Sequence, residues 1–89
     1  MFDTETETVT AATERAILDF VHANFPLARK ASIGAADPLL GSGVVDSLGL
    51  LLIVDFIEAT YGVGVKDTDM VMSNFGCVAA IAAFVRRAA

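Results

Sequence analysis

The sequence contains few of the residues that build metal centres and catalytic sites, since its 89 residues include one cysteine and one histidine. The single cysteine, Cys77, excludes an internal disulfide, and with only His22 beside it a metal cluster of cysteine and histidine is excluded as well. The longest apolar runs, residues 50–54 and 77–85, fall well short of the roughly 20 residues that span a bilayer. We therefore expect neither a transmembrane helix nor a metal site.

Basic residues are also scarce, since six lysines and arginines face eleven aspartates and glutamates, and the net charge is -5. An acidic chain is repelled by the phosphate backbone and by anionic membrane surfaces, which makes nucleic acid and membranes poor partners. A basic patch on a partner protein would instead be attracted. We expect a monomer whose partners are proteins.

The N-terminus lacks the positive start and apolar middle of a signal peptide. Residues 1–9 carry Asp3, Glu5 and Glu7 without helical periodicity, so we predict a flexible acidic tail and a cytoplasmic location. Residues 10–89 are within the size of one domain. Because 55% of the chain is hydrophobic, we expect this domain to leave some apolar surface exposed.

Apolar residues at helical spacing predict a first helix over residues 11–25, with Thr10 as its N-cap. A second helix is predicted over residues 47–61, with Asp46 as its N-cap and Gly62 at its end. Residues 27–45 between them show no sustained period and contain three glycines, which predicts a long ordered loop.

The C-terminal third predicts two more helices. Asp67 can cap a short third helix of a single turn, and Ser73 or Asn74 can cap a fourth helix over residues 75–87. No segment shows the alternating period of a strand. The predicted fold is therefore all-α, a four-helix bundle with a long loop between the first two helices and a short third helix.

The residues whose side chains could act in catalysis do not form a recognisable catalytic site. His22 is interpreted as a solvated residue of the first helix, and Cys77 as a buried structural cysteine. Asp67 and Asp69 resemble a fragment of a calcium loop, but the remaining acidic positions are missing, so capping explains them better. We predict that the protein is not an enzyme.

Ser47 is the residue that stands out, because it follows a glycine-containing loop and opens the second helix. One interpretation is that Ser47 or Asp46 only caps the helix. The other is that a phosphate group is seated there, since free N–H donors and the positive end of the helix dipole both favour an anion.

The Asp46-Ser47-Leu48 triplet, preceded by Gly43, resembles the phosphopantetheine attachment motif of the acyl and peptidyl carrier protein superfamily. The triplet alone is a weak signal, but its place in the loop and helix layout makes the resemblance more specific. It covers about residues 12–86 and includes, in order and spacing, Asp37-Pro38-Leu39-Leu40, Ile57-Glu58, Tyr61-Gly62-Val63 and Asn74-Phe75-Gly76.

The resemblance implies that a phosphopantetheinyl transferase moves a 4'-phosphopantetheine arm from coenzyme A onto the Ser47 hydroxyl. The thiol of such an arm holds cargo as a thioester, so Ser47 would be an attachment site and not a catalyst. Asp46, by the same resemblance, helps position Ser47 and the transferase. Other expected partners are an activating ligase and a downstream enzyme that accepts the cargo.

The second helix has two apolar faces at about 100° per residue. Leu50, Val54, Ile57 and Tyr61 are predicted to face the core, with Ile53 beside them. The other face is predicted to dock partner proteins by apolar contact, in contrast with the acidic helix of fatty acid carriers, through Leu48, Gly49, Leu52, Asp55 and Phe56, with Ala59 further along. Alternatively, this face packs against the long loop or the third helix.

The Gly43-Val44-Val45 approach to Asp46 and the Asn74-Phe75-Gly76 segment look more like stand-alone aminoacyl carriers and peptidyl carrier domains than fatty acid carriers. We therefore favour an amino acid as the cargo, loaded in trans by a separate adenylating ligase onto a discrete one-domain protein. One alternative is a carrier of fatty acyl, polyketide or other acyl groups. A second alternative, outside the family, is an unmodified helical interaction module.

Overall fold

The computed structural model describes the backbone of residues 4–88 and the side chains of residues 11–88. The described residues form helices and turns and no strands, which confirms the predicted all-α fold class. The helices are α1 (Thr4–Asn24), α2 (Pro26–Lys30), α3 (Ser47–Tyr61), α4 (Met72–Phe75) and α5 (Val78–Ala88), and a 3-10 turn covers Asp67–Asp69.

Helix α1 begins earlier than predicted. Its backbone is already helical at Thr4, so Thr10 is an interior residue and its predicted role as N-cap is wrong. Residues 1–3 of the predicted tail lie outside the described residues, and the flexibility of the tail stays a prediction. The helix ends at Asn24, close to the predicted end at residue 25.

Helix α2 interrupts the segment that was predicted to be loop. Pro26 occupies its first turn, where the fixed φ of proline suits a helix and its missing N–H is not needed. The prediction of a loop is therefore wrong for residues 27–30 and holds for residues 31–45. Ala28 of this short helix is fully buried, which anchors it to the core.

Two separate helices replace the predicted fourth helix. Ser73 and Asn74 lie inside α4, so neither caps the last helix, which begins only at Val78. The interruption has a physical cause in Gly76, whose carbonyl accepts a hydrogen bond of 2.7 Å from the N–H of Leu39 in the loop. That carbonyl therefore accepts from the loop and not from the N–H four residues later, which would continue α4 into α5.

The predicted third helix is a single 3-10 turn. Asp69 stabilises it, because its carboxylate accepts a hydrogen bond of 3.0 Å from the N–H of Lys66. The predicted capping role thus falls to Asp69 and not to Asp67.

The core is formed by side chains of α1, α3 and α5, and Phe75 of α4 and three loop residues, Ile33, Leu39 and Val45, also belong to it. Phe75 and Phe84 pack with their ring centroids 5.4 Å apart. The apolar residues of α5 line one buried face, which consists of Val78, Ile81, Ala82, Phe84 and Val85. The fully buried large side chains are Ile17, Val21, Leu39, Ile53, Ile57, Phe75, Val78 and Ile81.

The loop over residues 31–46 is held to the helices by hydrogen bonds as well as by buried side chains. The N–H of Ala79 donates to the carbonyl of Ala35 at 2.9 Å. Nε2 of His22 lies 2.7 Å from the carbonyl oxygen of Ile33 and is partly buried. His22 is therefore a loop anchor, which corrects its interpretation as a solvated helix residue.

No helix among residues 4–88 combines the length and the apolar character of a membrane span.

Candidate functional site

Ser47 is the first residue of α3, and Asp46 before it is the N-cap, as predicted. Asp46 has an extended backbone, and its carboxylate Oδ1 accepts a hydrogen bond of 2.8 Å from the N–H of Gly49. Both Asp46 and Ser47 are exposed to solvent. The Ser47 hydroxyl is therefore presented at the surface by a helix whose start is fixed by a side-chain cap.

The first turn of α3 retains hydrogen-bonding capacity for an anion. The first N–H groups of a helix have no intrahelical partner, and Asp46 satisfies only that of Gly49. The N–H groups of Ser47 and Leu48 remain oriented towards the helix N-terminus, where the dipole is positive. The negative charge of the Asp46 carboxylate would repel a phosphate at this position. Because the carboxylate is exposed, solvent and salt screen that repulsion. The residues present fit a phosphodiester on Ser47.

Gly49 allows the start of α3 to lie directly on the core. A Cβ added at Gly49 would come within 2.6 Å of Cε1 of Phe25 and 3.1 Å of Cγ1 of Val45. Any larger residue would push α3 away from Phe25, the residue that joins α1 to α2. The position of the Ser47 hydroxyl thus depends on a glycine two residues later.

A tight turn leads into the site. Gly41 and Gly43 have φ of 82° and 86°, a region that favours glycine. The Ser42 hydroxyl between them lies 3.0 Å from the carbonyl oxygen of Leu39 and 3.4 Å from the N–H of Val44. The turn is therefore held by its own hydrogen bonds, followed by buried Val45 and then by Asp46.

The outward surface of α3 is apolar and exposed at three leucines. The exposed fraction is 74% for Leu48, 50% for Leu52 and 49% for Leu51. Leu51 was missed by the sequence analysis, although a helical wheel places it about 200° from Ile53 and so on the far side from the core. Asp55 is exposed beside these leucines, as is Ala59.

Two residues of the predicted docking face do not belong to this surface. Gly49 is buried, and Phe56 is only half-exposed, because its ring stacks on Phe20 of α1 with the centroids 4.3 Å apart. Tyr61 meets the same ring edge-on at 6.4 Å. Phe56 thus packs against α1, and not against the loop or the third helix as the alternative supposed.

The core-facing side of α3 agrees with the prediction. Ile53, Val54 and Ile57 are buried, and Leu50 and Tyr61 pack against the core while partly exposed.

Cys77 was predicted to be a buried structural cysteine. It is a free thiol directly before α5, and it is half-buried instead of fully buried.

Comparison with protein-family models gave no match for this chain, and comparison with curated proteins gave none either. The role of Ser47 is therefore inferred from the residues around it and from their geometry.

Proposed function

We propose that this protein is a carrier that holds an amino acid as a thioester on a 4'-phosphopantetheine arm attached to Ser47 and presents it to partner enzymes. The observation that carries the proposal is the exposed hydroxyl of Ser47 at the first position of α3, next to the capping carboxylate of Asp46. The sequence around it resembles the attachment motif of carrier proteins in order and spacing.

The residues of the chain position the tether and take no part in bond making after loading. When bound, the arm supplies a thiol that holds the cargo in activated form. The N–H groups of Ser47 and Leu48 are available to hold its phosphate. Asp46 fixes the first turn of α3 and, by resemblance, helps the transferase to recognise Ser47.

The partners in this proposal are a phosphopantetheinyl transferase, an adenylating ligase specific for an amino acid, and an enzyme that accepts the cargo. Leu48, Leu51 and Leu52 offer these partners an apolar surface next to the attachment point. Asp55 supplies one exposed negative charge beside it. Recognition of the carrier is therefore proposed to depend more on apolar contact than on charge.

Intact-mass measurement after incubation with coenzyme A, magnesium and a phosphopantetheinyl transferase tests the proposal. The wild-type chain should gain the mass of one phosphopantetheinyl group. Ser47→Ala should gain nothing, while Ser73→Ala, which removes another exposed serine, should be modified as the wild type is. No gain in the wild type, or a gain retained in Ser47→Ala, would reject the carrier function.

Two alternative functions can be distinguished from this proposal by experiment. Mass analysis of the species from the native host distinguishes an amino acid from a fatty acyl, polyketide or other acyl cargo. An unmodified interaction module is supported by the same three exposed leucines, which form an apolar surface with or without an arm. In that case the native protein would carry no added mass, and Ser47→Ala would leave binding to its partner intact.

A further inference from the structure

A groove lies between α2 and the turn that precedes Ser47. It has a volume of about 410 Å³, within the usual range of small-molecule sites. Its lining is mainly apolar and consists of Leu27, Lys30, Ala31, Ser42, Gly43 and Val44. Leu27 leaves 56% of its surface exposed here, although it belongs to a helix that is otherwise anchored in the core by Ala28.

The groove lies within reach of Ser47. Val44 precedes Ser47 by three residues, and three residues span at most about 11 Å even when fully extended. A pantetheine arm, built from a dimethyl-substituted hydroxy acid, β-alanine and cysteamine, is longer than this when extended. An arm on Ser47 can therefore enter the groove along the wall that Gly43 and Val44 form.

The walls of the groove are held in place by contacts within the chain. Ser42 bridges the turn through contacts with the Leu39 carbonyl and the Val44 N–H, and the conformation of Gly43 is one that glycine adopts without strain. Opposite, α2 is fixed by buried Ala28. Because these residues are already ordered, binding of a ligand would not have to order them.

The lining matches the pantetheine portion better than the amino acid. Leu27 and Val44 suit the two methyl groups of pantetheine, and Lys30, the one charged residue among the described residues of the lining, can donate to its amide oxygens. The free ammonium of a thioester-bound amino acid would be repelled by Lys30. The groove is therefore suited to the pantetheine portion of the arm and not to the charged amino acid attached to its thiol.

We infer that the pantetheine portion of the arm rests in this groove, against Leu27 and Val44, when no partner enzyme engages the carrier. The inference rests on the proposed function, because it requires an arm on Ser47. In this state the arm lies along the protein surface, with its methyl groups withdrawn from water.

NMR of the isotope-labelled protein with the arm attached tests this placement. We expect nuclear Overhauser contacts from the pantetheine methyl protons to the methyl groups of Leu27 and Val44. We also expect amide shifts between the unmodified and modified forms at Ala31, Gly43 and Val44. The contacts to Val44 should be lost in Leu27→Glu and kept in Val71→Glu, which places the same charge at an exposed apolar residue outside both the groove and the apolar surface of α3.

The outcomes separate this inference from the proposed function. If no arm can be attached, the proposed function fails, and the groove has no arm to hold. If the arm is attached but its methyl protons contact neither Leu27 nor Val44, only the placement is overturned. Because the contacts in the wild type decide the question, the test stands even if Leu27→Glu is poorly folded.

Discussion

Gly49 of α3 approaches Phe25 so closely that a Cβ at position 49 would lie 2.6 Å from Cε1 of the ring. Phe25 is nine-tenths buried and is the N-cap of α2, so the contact joins the start of α3 to the junction of α1 and α2. The absence of a side chain at Gly49 thus allows the helix that carries Ser47 to pack against the junction of α1 and α2.

Gly49→Ala should lower the free energy of unfolding. In an exposed helix this change would stabilise by up to about 1 kcal/mol, because alanine has the higher helix propensity. Here the added methyl group overpacks against Phe25 and Val45, which typically costs about 1–3 kcal/mol. Urea denaturation followed by circular dichroism measures the change.

Gly64→Ala is the matched control for this prediction. Beyond Gly64 and its two chain neighbours, no atom of the described residues lies within 4 Å of the position that a Cβ would take, so the same substitution should change stability by less than about 0.5 kcal/mol. A stabilising Gly49→Ala would contradict the close packing of α3 on Phe25.

Asp46→Ala and Asp46→Asn should have different effects on stability. Alanine removes the acceptor of the Gly49 N–H and should cost about 0.5–2 kcal/mol. Asparagine caps a helix about as well as aspartate, so its cost should be a few tenths of a kcal/mol at most.

Asp46→Asn also separates the capping role from recognition of the charge. If the transferase recognises the carboxylate, this variant should be loaded more slowly than the wild type at unchanged stability. Equal loading rates would limit Asp46 to capping α3.

Helix α3 could be predicted to the residue because three local signals agree. Asp46 caps it, the apolar period continues through Ile57, and Gly62 ends it in a left-handed conformation with φ of 68°. Ser47 directly follows the cap, so the same local signals place the proposed attachment site at the start of α3.

Helices α2 and α4 could not be predicted in the same way. They have five and four residues, too few to be stable through local hydrogen bonds alone, and depend on tertiary contacts. The burial of Ala28 and Phe75 supplies these contacts. Likewise, the hydrogen bond from His22 to Ile33 depends on the path of the loop, which no local pattern encodes.

The loop over residues 31–46 should show uneven protection from hydrogen exchange. The N–H of Leu39 donates to Gly76 at 2.7 Å and that of Ile33 donates to Ala28 at 3.1 Å, so both should exchange slowly. Exposed Gly43 should exchange much faster. Exchange followed by two-dimensional NMR measures each amide, and a Leu39 amide that exchanges as fast as that of Gly43 would contradict the pinned loop.

Phe56→Ala should destabilise the fold, whereas Leu52→Ala should not. Phe56 loses its stacking on Phe20 and part of its burial, so we expect a cost of about 2 kcal/mol or more. Half-exposed Leu52 should cost less than about 1 kcal/mol. Equal and small costs, measured by urea denaturation, would mean that Phe56 belongs to the exposed apolar surface of α3 and does not pack on α1.

Loading of Ser47 by the transferase should depend on the apolar surface of α3 and little on salt. Leu48 is the most exposed of its leucines and lies next to Ser47, so Leu48→Ala should lower kcat/KM by about tenfold, as expected for a central apolar contact. Thr60→Ala, at an exposed position near the other end of the helix, should leave it unchanged.

Raising the salt from about 50 to 500 mM screens exposed charges, and it should change kcat/KM of the wild type by no more than about twofold. A coupled assay of coenzyme A consumption measures both effects. A steep fall with salt, together with an unaffected Leu48→Ala, would show that the transferase recognises Asp46 and Asp55 by charge, because apolar contacts are not weakened by screening.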